Sequence, residues 1–234
     1  MQKAVWLTGA GSGIGKALAF EFSAYNIPLV ISGRNEERLN SVKNEIMESG
    51  RGCEVEILDI TSSDSVYKSY NRISQKFKIE YLVNNAGVTR FKSAENHSLD
   101  EIDRIISTNL TGSIYMIKSV LPEMIKENSG TIVNILSVAA EKTFTNSSVY
   151  AASKAGLAAF AKGLREELKA SDIRVINIYP GATKTEMWHQ EALDKFSDRM
   201  MSPTELAKFV CGICVEKNSV VTEEITLRPL HGDL

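Results

Sequence analysis

Short runs of apolar, mostly β-branched residues alternate along this chain with longer stretches that have the amphipathic period of a helix. Runs of this length and composition are typical of strands that are buried on both faces of a parallel sheet. The predicted strands cover residues 4–7, 28–31, 55–58, 81–83, 131–136, 174–178 and 220–227. The predicted helices cover residues 13–25, 35–49, 62–77, 99–127, 149–170 and 203–217.

The alternation of strands with helices predicts βαβ units, and therefore an α/β fold with a doubly wound parallel sheet of the Rossmann type. No Ser/Gly/Pro-rich linker, long charge run or internal repeat interrupts residues 1–234, so we expect a single domain. A sheet of this kind binds its ligand beyond the carboxyl ends of its strands. Candidate chemistry should therefore lie where the predicted strands end.

Composition excludes several classes of protein. The 27 Lys and Arg residues against 29 Asp and Glu residues give a net charge of -2, without the basic excess of a nucleic-acid binder. No stretch approaches the roughly 18 apolar residues of a membrane span, and the first predicted strand starts too early to leave room for a signal peptide. Three cysteines are too few for a disulfide framework. We expect a cytoplasmic protein with no nucleic-acid or membrane partner.

A glycine-rich turn, Thr8–Gly15, joins the first predicted strand to the first predicted helix. Glycines let the backbone turn tightly and approach a pyrophosphate, while a helix N-terminus offers unpaired N–H groups. A merely flexible strand-to-helix turn is the alternative interpretation, but the strand before it and the helix after it favour a dinucleotide site. The turn residues that we assign to this site are Gly9, Ser12, Gly13, Ile14 and Gly15.

The end of the second predicted strand bears on the choice of nucleotide. In NAD-binding folds an acidic side chain there binds the ribose 2′-hydroxyl, but this chain has Gly33 followed by Arg34. A guanidinium is suited to a phosphate group, so Arg34 favours NADP(H) over NAD(H). The alternative is a solvated Arg34 that caps the next helix.

A tyrosine and a lysine, Tyr150 and Lys154, are four residues apart in a predicted helix and therefore lie on one face of it. The ordinary pKa of tyrosine is near 10, so a tyrosine that exchanges protons near neutral pH needs a nearby cation. A surface helix pair is the alternative. Ser137 follows the fifth predicted strand, and Asn109 falls inside a predicted helix, where asparagine is unfavourable. Both are candidates for the same site.

Together these motifs resemble, in their order, those of the short-chain dehydrogenase/reductase family over essentially the whole chain. The matching positions are Thr8–Gly15, Asp59, Asn84–Gly87, Asn109, Ser137, Tyr150 with Lys154, Pro180-Gly181 and Thr185. One position departs from the pattern, because family members that prefer NADP often have a basic residue where this chain has Ser12.

The resemblance implies four catalytic residues. Tyr150 would protonate the carbonyl oxygen, and Lys154 would lower the pKa of Tyr150 and bind the nicotinamide ribose. Ser137 would bind the substrate carbonyl, and Asn109 would hold a water in a proton relay. The cofactor residues that it implies besides those of the turn and Arg34 are Asp59, Ile60, Asn85, Ala86, Gly87, Tyr150, Lys154, Pro180, Gly181, Thr183 and Thr185.

The function implied is NADP(H)-dependent interconversion of a carbonyl compound and a secondary alcohol, both small molecules. The family also implies a homodimer or homotetramer through the helices at 99–127 and 149–170. Residues 186–201 would form a lid over the substrate, with an ordinary amphipathic surface helix as the alternative. The last ten or so residues loosely resemble bacterial members that are described as sepiapterin-reductase-like.

Two further functions stay open. A 3-oxoacyl-carrier-protein reductase would need a basic surface on which the acidic carrier protein docks. The sequence offers few basic residues for it, namely Lys184, Lys195 and Arg199. An NADP(H)-sensing regulator without catalysis would be expected to lack Tyr150 or Lys154.

The cysteines of the last predicted helix do not predict a metal site. Cys211 and Cys214 form a single C-x-x-C inside an apolar helix pattern, and no second pair accompanies them. We therefore expect both to be buried in the packing of that helix, with no metal bound.

Overall fold

The computed structural model describes residues 1–142, 144–216 and 220–233. Within these ranges seven parallel strands form one sheet in the order β3-β2-β1-β4-β5-β6-β7. The strands are β1 Gln2–Thr8, β2 Leu29–Gly33, β3 Cys53–Ile57, β4 Phe77–Asn84, β5 Gly130–Ile135, β6 Ile173–Pro180 and β7 Glu224–Leu227. The predicted doubly wound α/β fold is confirmed.

The helices follow the strands in alternation. They are α1 Gly13–Ala24, α2 Glu36–Glu48, α3 Ser63–Ile73, α4 Leu99–Ile106, α5 Ser113–Lys126, α6 Ser148–Leu168, α7 Gln190–Phe196 and α8 Pro203–Val215. Side chains fix several helix starts, since the Ser62 hydroxyl accepts from Ser65 N and Ser98 forms a capping box with Glu101. The predicted start of the last helix at Ser202-Pro203 is also confirmed.

Alternate residues of each central strand face opposite layers of helices. In β1, Val5 and Leu7 pack with residues of α1, α2 and α8, whereas Ala4 and Trp6 pack with residues of α3, α5 and α6. Because both faces of β1 are covered, its residues from Ala4 to Thr8 are buried.

The order of the sheet reverses between β1 and β4, which are adjacent although two strands separate them in the sequence. Strands β2 and β3 are added in turn on one side of β1, and strands β4 to β7 are added in turn on its other side. Crevices form at such a switch point, beyond the carboxyl ends of the strands. The turn after β1 and the loop after β4 border this crevice.

Several predicted elements differ from the structure, among them the helix predicted at 62–77, which ends at Ile73. Residues 99–127 contain a π-helical turn, Ser107–Gly112, between α4 and α5. The strand predicted at 220–227 begins only at Glu224, and as an edge strand β7 alternates between exposed and half-buried residues. The other edge strand, β3, is likewise mostly half-buried, because an edge strand has a neighbour on one side only. Residue 217 of the last predicted helix lies outside the described residues.

No helix in the described part of the chain is long and apolar enough to cross a membrane.

Candidate active site and dinucleotide cleft

The glycine-rich turn leads directly from β1 into α1. Gly9 and Gly13 have positive φ angles of 68° and 53°, which L side chains rarely adopt. Ser12 stands at the N-cap of α1 in extended conformation, and its side chain makes no capping hydrogen bond. The first N–H groups of α1 are therefore left without a side-chain cap, as an anion site at a helix start requires.

Close backbone approach explains why side chains are absent from two positions of the turn. A Cβ on Gly15 would lie 2.1 Å from the carbonyl oxygen of Gly9, and a Cβ on Gly9 would lie 2.7 Å from the Cα of Ala86. Asn85 holds the same contact from the β4 side, because its Nδ2 donates to the carbonyl oxygens of Thr8 and Gly9 at 3.0 Å each. The Asn85 amide thus fixes the turn, and its contact with a bound cofactor stays a prediction.

At the carboxyl end of β2, Arg34 follows the last residue of the strand and is exposed. Among the described residues its guanidinium has no hydrogen bond or ion pair. The cap of α2 is Asn35, whose Oδ1 accepts from Arg38 N at 2.9 Å, so the alternative in which Arg34 caps this helix is wrong. After β3, Asp59 Oδ1 accepts hydrogen bonds from the backbone N of Thr61 at 3.0 Å and from its hydroxyl at 2.8 Å. The side chain of the next residue, Ile60, is buried.

The two central catalytic candidates lie on α6, and both are buried. Lys154 Nζ donates to the carbonyl oxygen of Ile135, the last residue of β5, at 2.8 Å. The same nitrogen lies 6.0 Å from the centre of the Tyr150 ring. Ser137 follows β5 by two residues and is half-buried. The structure therefore brings Ser137, Tyr150 and Lys154 together at the end of β5.

Burial dominates the electrostatics of this site. It raises the pKa of the Tyr150 phenol, while a hydrogen bond with the Ser137 side chain acts in the opposite direction. It also lowers the pKa of Lys154 from 10.5 to about 8, because a buried ammonium loses its hydration. In this structure burial thus shifts the pKa of Tyr150 upward, and the lowering of that pKa by Lys154 stays a prediction.

Asn109 lies in the π-helical turn and is fully buried. Its Nδ2 donates to Val88 O at 2.9 Å and to the hydroxyl of Ser153 at 3.0 Å, and its Oδ1 accepts from Val88 N at 2.8 Å. A Cβ on Gly87 would lie 3.4 Å from both Asn109 Oδ1 and Lys154 Nζ. Asn109 thereby ties the loop after β4 to the helix that carries Tyr150 and Lys154. π-Helical turns are frequent at functional sites.

The segment after β6 reaches back to the glycine-rich turn. A Cβ on Gly13 would lie 3.1 Å from Thr185 Cγ2, and the Thr183 hydroxyl donates to Gly181 O at 3.1 Å. A β-bridge between Thr183 and Met201 joins the two ends of the excursion at residues 184–200. This excursion contains α7, which has no buried residue. Pro180, Gly181, Thr183 and Thr185 thus line the path from β6 toward the turn.

Sequence reasoning missed one aromatic residue at this site. Phe91, in the loop after β4, has its ring centre 6.0 Å from that of Tyr150 and 5.9 Å from that of Trp188, with the Phe91 and Trp188 rings nearly parallel. Trp188 is held by a hydrogen bond from its Nε1 to Thr183 O at 3.0 Å. A lone aromatic residue in an irregular loop has no periodic signal, so only the tertiary structure shows its contact.

It also missed a pair of opposite charges beside the glycine-rich turn. Arg38 Nη1, on α2, lies 2.7 Å from Glu186 Oε2, on the segment that follows Thr185. The two residues are 148 positions apart, so no local pattern could have indicated their contact.

Elsewhere, Cys211 and Cys214 are fully buried in α8, as predicted, and burial raises the pKa of Cys214 to about 12.

Known proteins are similar to this chain in sequence and in fold. A family model described as short chain dehydrogenase matches residues 3–195. Sepiapterin reductase of Chlorobaculum tepidum is 32% identical, and the match covers 100% of this chain and 99% of that protein. A serine dehydrogenase structure with NADP+ has a TM-score of 0.92 and 26% identity, covering 99% of this chain and 96% of that one. A metagenomic short-chain oxidoreductase with NADP has a TM-score of 0.85 and 28% identity, over 97% and 96% of the two chains.

Proposed function

Since the chain belongs to the short-chain dehydrogenase family, we propose that it is an NADP(H)-dependent oxidoreductase. It interconverts a carbonyl compound and a secondary alcohol. One observation carries this proposal: the glycine-rich turn opens on the same crevice at which Ser137, Tyr150 and Lys154 meet. A regulator that only senses the nucleotide has no need of a buried tyrosine and lysine beside the end of β5.

The described residues fit a dinucleotide. The turn places α1 with an uncapped first turn toward the crevice, and no side chain larger than hydrogen fits at Gly9 or Gly15. Gly33 offers no carboxylate that would repel a 2′-phosphate, and the exposed Arg34 can donate to it. The serine dehydrogenase and the metagenomic relative are both described as complexes with NADP, which supports the same cofactor here.

The chemistry that a bound reduced nicotinamide would supply is a hydride for the carbonyl carbon. Tyr150 donates the phenol proton to the carbonyl oxygen, so that the C=O double bond becomes a C–O single bond while a C–H and an O–H bond form. The Ser137 hydroxyl hydrogen-bonds the same oxygen and orients it. Because burial raises the pKa of Tyr150, the phenol stays protonated until the oxygen develops negative charge.

Lys154 and Asn109 support the tyrosine. Lys154 Nζ, held by Ile135 O, lies 6.0 Å from the centre of the Tyr150 ring and can supply a proton for return to the phenolate. Its lowered pKa of about 8 makes that proton easier to release than from an exposed lysine. Asn109 keeps Val88 and Ser153 in place around them and would hold the water of a proton relay.

The proposal includes the arrangement of the whole chain. Residues 1–234 form one NADP(H)-binding domain, and the segment at about 186–201 covers the substrate. Two or four copies associate through α4 and α5 together with α6, as family members do. Light scattering at micromolar concentration tests the last point, and a monomer would contradict it.

A panel of carbonyl compounds tests the function directly. Ketones, sugars, β-ketoacyl thioesters and pterins are offered with NADPH, and loss of the reduced nicotinamide is followed with Tyr150→Phe as the matched control. We expect consumption with at least one class, which the control does not show. Consumption at the same rate by Tyr150→Phe would contradict the proposed chemistry.

One observation favours a second candidate, reduction of a carbonyl attached to a flat conjugated ring such as a pterin. Phe91 and Trp188 present nearly parallel rings beside Tyr150, and stacked aromatic surfaces favour planar ligands. The 32% identity with a sepiapterin reductase supports the same substrate class. Trp188→Ala should raise KM for a pterin but not for a small aliphatic ketone. An equal change for both substrates would exclude ring stacking as its cause.

A further inference from the structure

The glycine-rich turn is enclosed by a closed ring of contacts. An ideal Cβ on Gly11 would lie 3.2 Å from Arg38 Cβ, and one on Gly13 would lie 3.1 Å from Thr185 Cγ2. The ion pair between Arg38 Nη1 and Glu186 Oε2, at 2.7 Å, completes the ring. Gly11 does not have a positive φ angle, so its need for glycine comes from the side chain that packs over it.

This ring joins the two halves of the cleft. Arg38 lies in the first turn of α2, four residues after Arg34 on the adenosine side. Glu186 directly follows Thr185, which is one of the cofactor residues that the family resemblance implies. The ion pair therefore spans the outer edge of the crevice, from the β2–α2 connection to the start of the excursion at residues 184–200.

The excursion depends on few anchors near this end. Its helix α7 has no buried residue, and Glu186 and Met187 are exposed. The contacts of residues 185–188 include the packing of Thr185 over Gly13, the Trp188 hydrogen bond to Thr183, the Phe91 stack and the pair with Arg38. Breaking the ion pair would free the edge that faces the glycine-rich turn.

We propose that Arg38 and Glu186 form a latch across the outer edge of the dinucleotide cleft and slow the departure of the bound nucleotide. This inference rests on the proposed function. The side chains are 53% and 66% exposed, so the pair is weak enough to open without unfolding the segment and is screened by salt. A motion that opens the cleft for release must separate these two groups, because they lie on opposite sides of it.

Release of NADPH after rapid mixing with a displacing excess of NADP+ measures the latch. Glu186→Gln, Arg38→Gln and the double variant are compared with the unmodified protein. The matched control is Glu45→Gln, which removes a similarly exposed ion pair, Lys16–Glu45 at 2.9 Å, that joins α1 to α2 without reaching the excursion. Each single variant should release NADPH about two- to fivefold faster, the range expected for loss of an exposed ion pair.

The double variant should be no faster than the faster single variant, and Glu45→Gln should match the unmodified protein. The differences should vanish at high salt. Hydrogen exchange without nucleotide gives an independent readout, because the amides at 185–189 should exchange faster in Glu186→Gln but not in Glu45→Gln.

The outcomes separate the two proposals. If NADPH does not bind the unmodified protein, the proposed function and the latch are both wrong. If it binds but all variants release it at the same rate, only the latch is wrong. If Arg38→Gln speeds release while Glu186→Gln slows it, Arg38 acts as a phosphate ligand that competes with Glu186, and the latch is likewise overturned.

Discussion

The two sides of the crevice are held together by different kinds of contact. The glycine-rich turn is fixed by backbone approach, with Gly15 pressed against Gly9 O and Asn85 donating to two carbonyls of the same turn. The excursion at residues 184–200 is held instead by aromatic stacking, a β-bridge at its ends and an exposed ion pair. The glycine-rich turn has no room for a side chain at these glycines, whereas side chains in the excursion can be replaced without a change in its backbone.

Under the proposed function, that difference separates the part that binds the cofactor from the part that selects the substrate. A dinucleotide has the same phosphates and ribose in every such enzyme, so a rigid turn suits it. A substrate differs from one enzyme to the next, and a segment with few buried residues can be reshaped for it. Changes on the rigid side should therefore affect every substrate alike, and changes on the excursion should not.

The largest expected effect lies where the two sides meet. Tyr150→Phe removes the transferable proton but keeps the ring and its contact with Phe91. Turnover should fall by about 10²–10⁴-fold, the usual contribution of general acid catalysis, while the dissociation constant for NADPH stays nearly the same. Steady-state rates together with nucleotide titration check both parts. Activity above about a tenth of the unmodified level would contradict the role of Tyr150.

Gly15→Ala tests the rigidity of the turn. The new Cβ would lie 2.1 Å from Gly9 O, a backbone atom that cannot move aside alone. We expect a loss of about 3 kcal/mol in the free energy of unfolding, together with weaker nucleotide binding. Gly163→Ala is the matched control, since an added Cβ there meets no atom within 4 Å on α6. It should stabilise the protein by about 0.5–1 kcal/mol, as a helical glycine replaced by alanine usually does.

Equal stabilities for the two alanine variants in urea unfolding would show that the close approach does not hold in solution. The rigid side of the comparison would then lose its basis.

Gly33→Asp changes nucleotide choice without touching the excursion. The new carboxylate would repel a 2′-phosphate and accept a hydrogen bond from a ribose hydroxyl. The ratio of the NADH to the NADPH dissociation constant should fall by about 10- to 100-fold, corresponding to a charge-assisted hydrogen bond of about 1.5–3 kcal/mol. A ratio unchanged by the substitution would indicate that the 2′-phosphate lies elsewhere.

Lys154→Met tests the cost of burying a charge beside Tyr150. Burial lowers the pKa of Lys154 to about 8 in the folded protein, against 10.5 for an exposed lysine. Below about pH 8 the folded protein must hold a buried ammonium, so the variant should be more stable there, by on the order of 1 kcal/mol. As the pH rises from about 8 toward about 10.5, the unfolded chain binds more protons than the folded one, and the unmodified protein gains stability.

The advantage of the variant should therefore shrink over that interval in thermal unfolding at several pH values. A difference that does not depend on pH would show that Lys154 keeps an ordinary pKa when folded.

The contrast between rigid and adaptable regions also explains which parts of the molecule could be predicted from the sequence. Strands β1, β2 and β5 are buried on both faces, and their apolar runs predicted the sheet and the crevice. The edge strand β7 was predicted too long, because apolar residues at 220 and 221 precede it without joining the sheet. The motifs from Gly9 to Lys154 predicted that candidate residues meet at one end of the sheet, and the structure brings Ser137, Tyr150 and Lys154 together there.

The remaining features depend on contacts between distant residues. Asn109 was a candidate for the site only through its poor helix propensity, and the bonds of its side chain to Val88 and Ser153 join residues that are distant in the sequence. The direction of the pKa shift of Tyr150 depends on burial, which no spacing of residues reports. Phe91 and Arg38 contact partners that are far away in the sequence, and such pairs leave no local pattern.

Titration of the unmodified protein with NADPH and with NADH tests the central claim most directly, because it needs no substrate. We predict that NADPH binds about 10- to 100-fold more tightly, through the exposed Arg34 beside Gly33. The preference should weaken as salt screens the exposed guanidinium. Equal or tighter binding of NADH would contradict the claim, since it would show that Arg34 faces solvent when the nucleotide is bound.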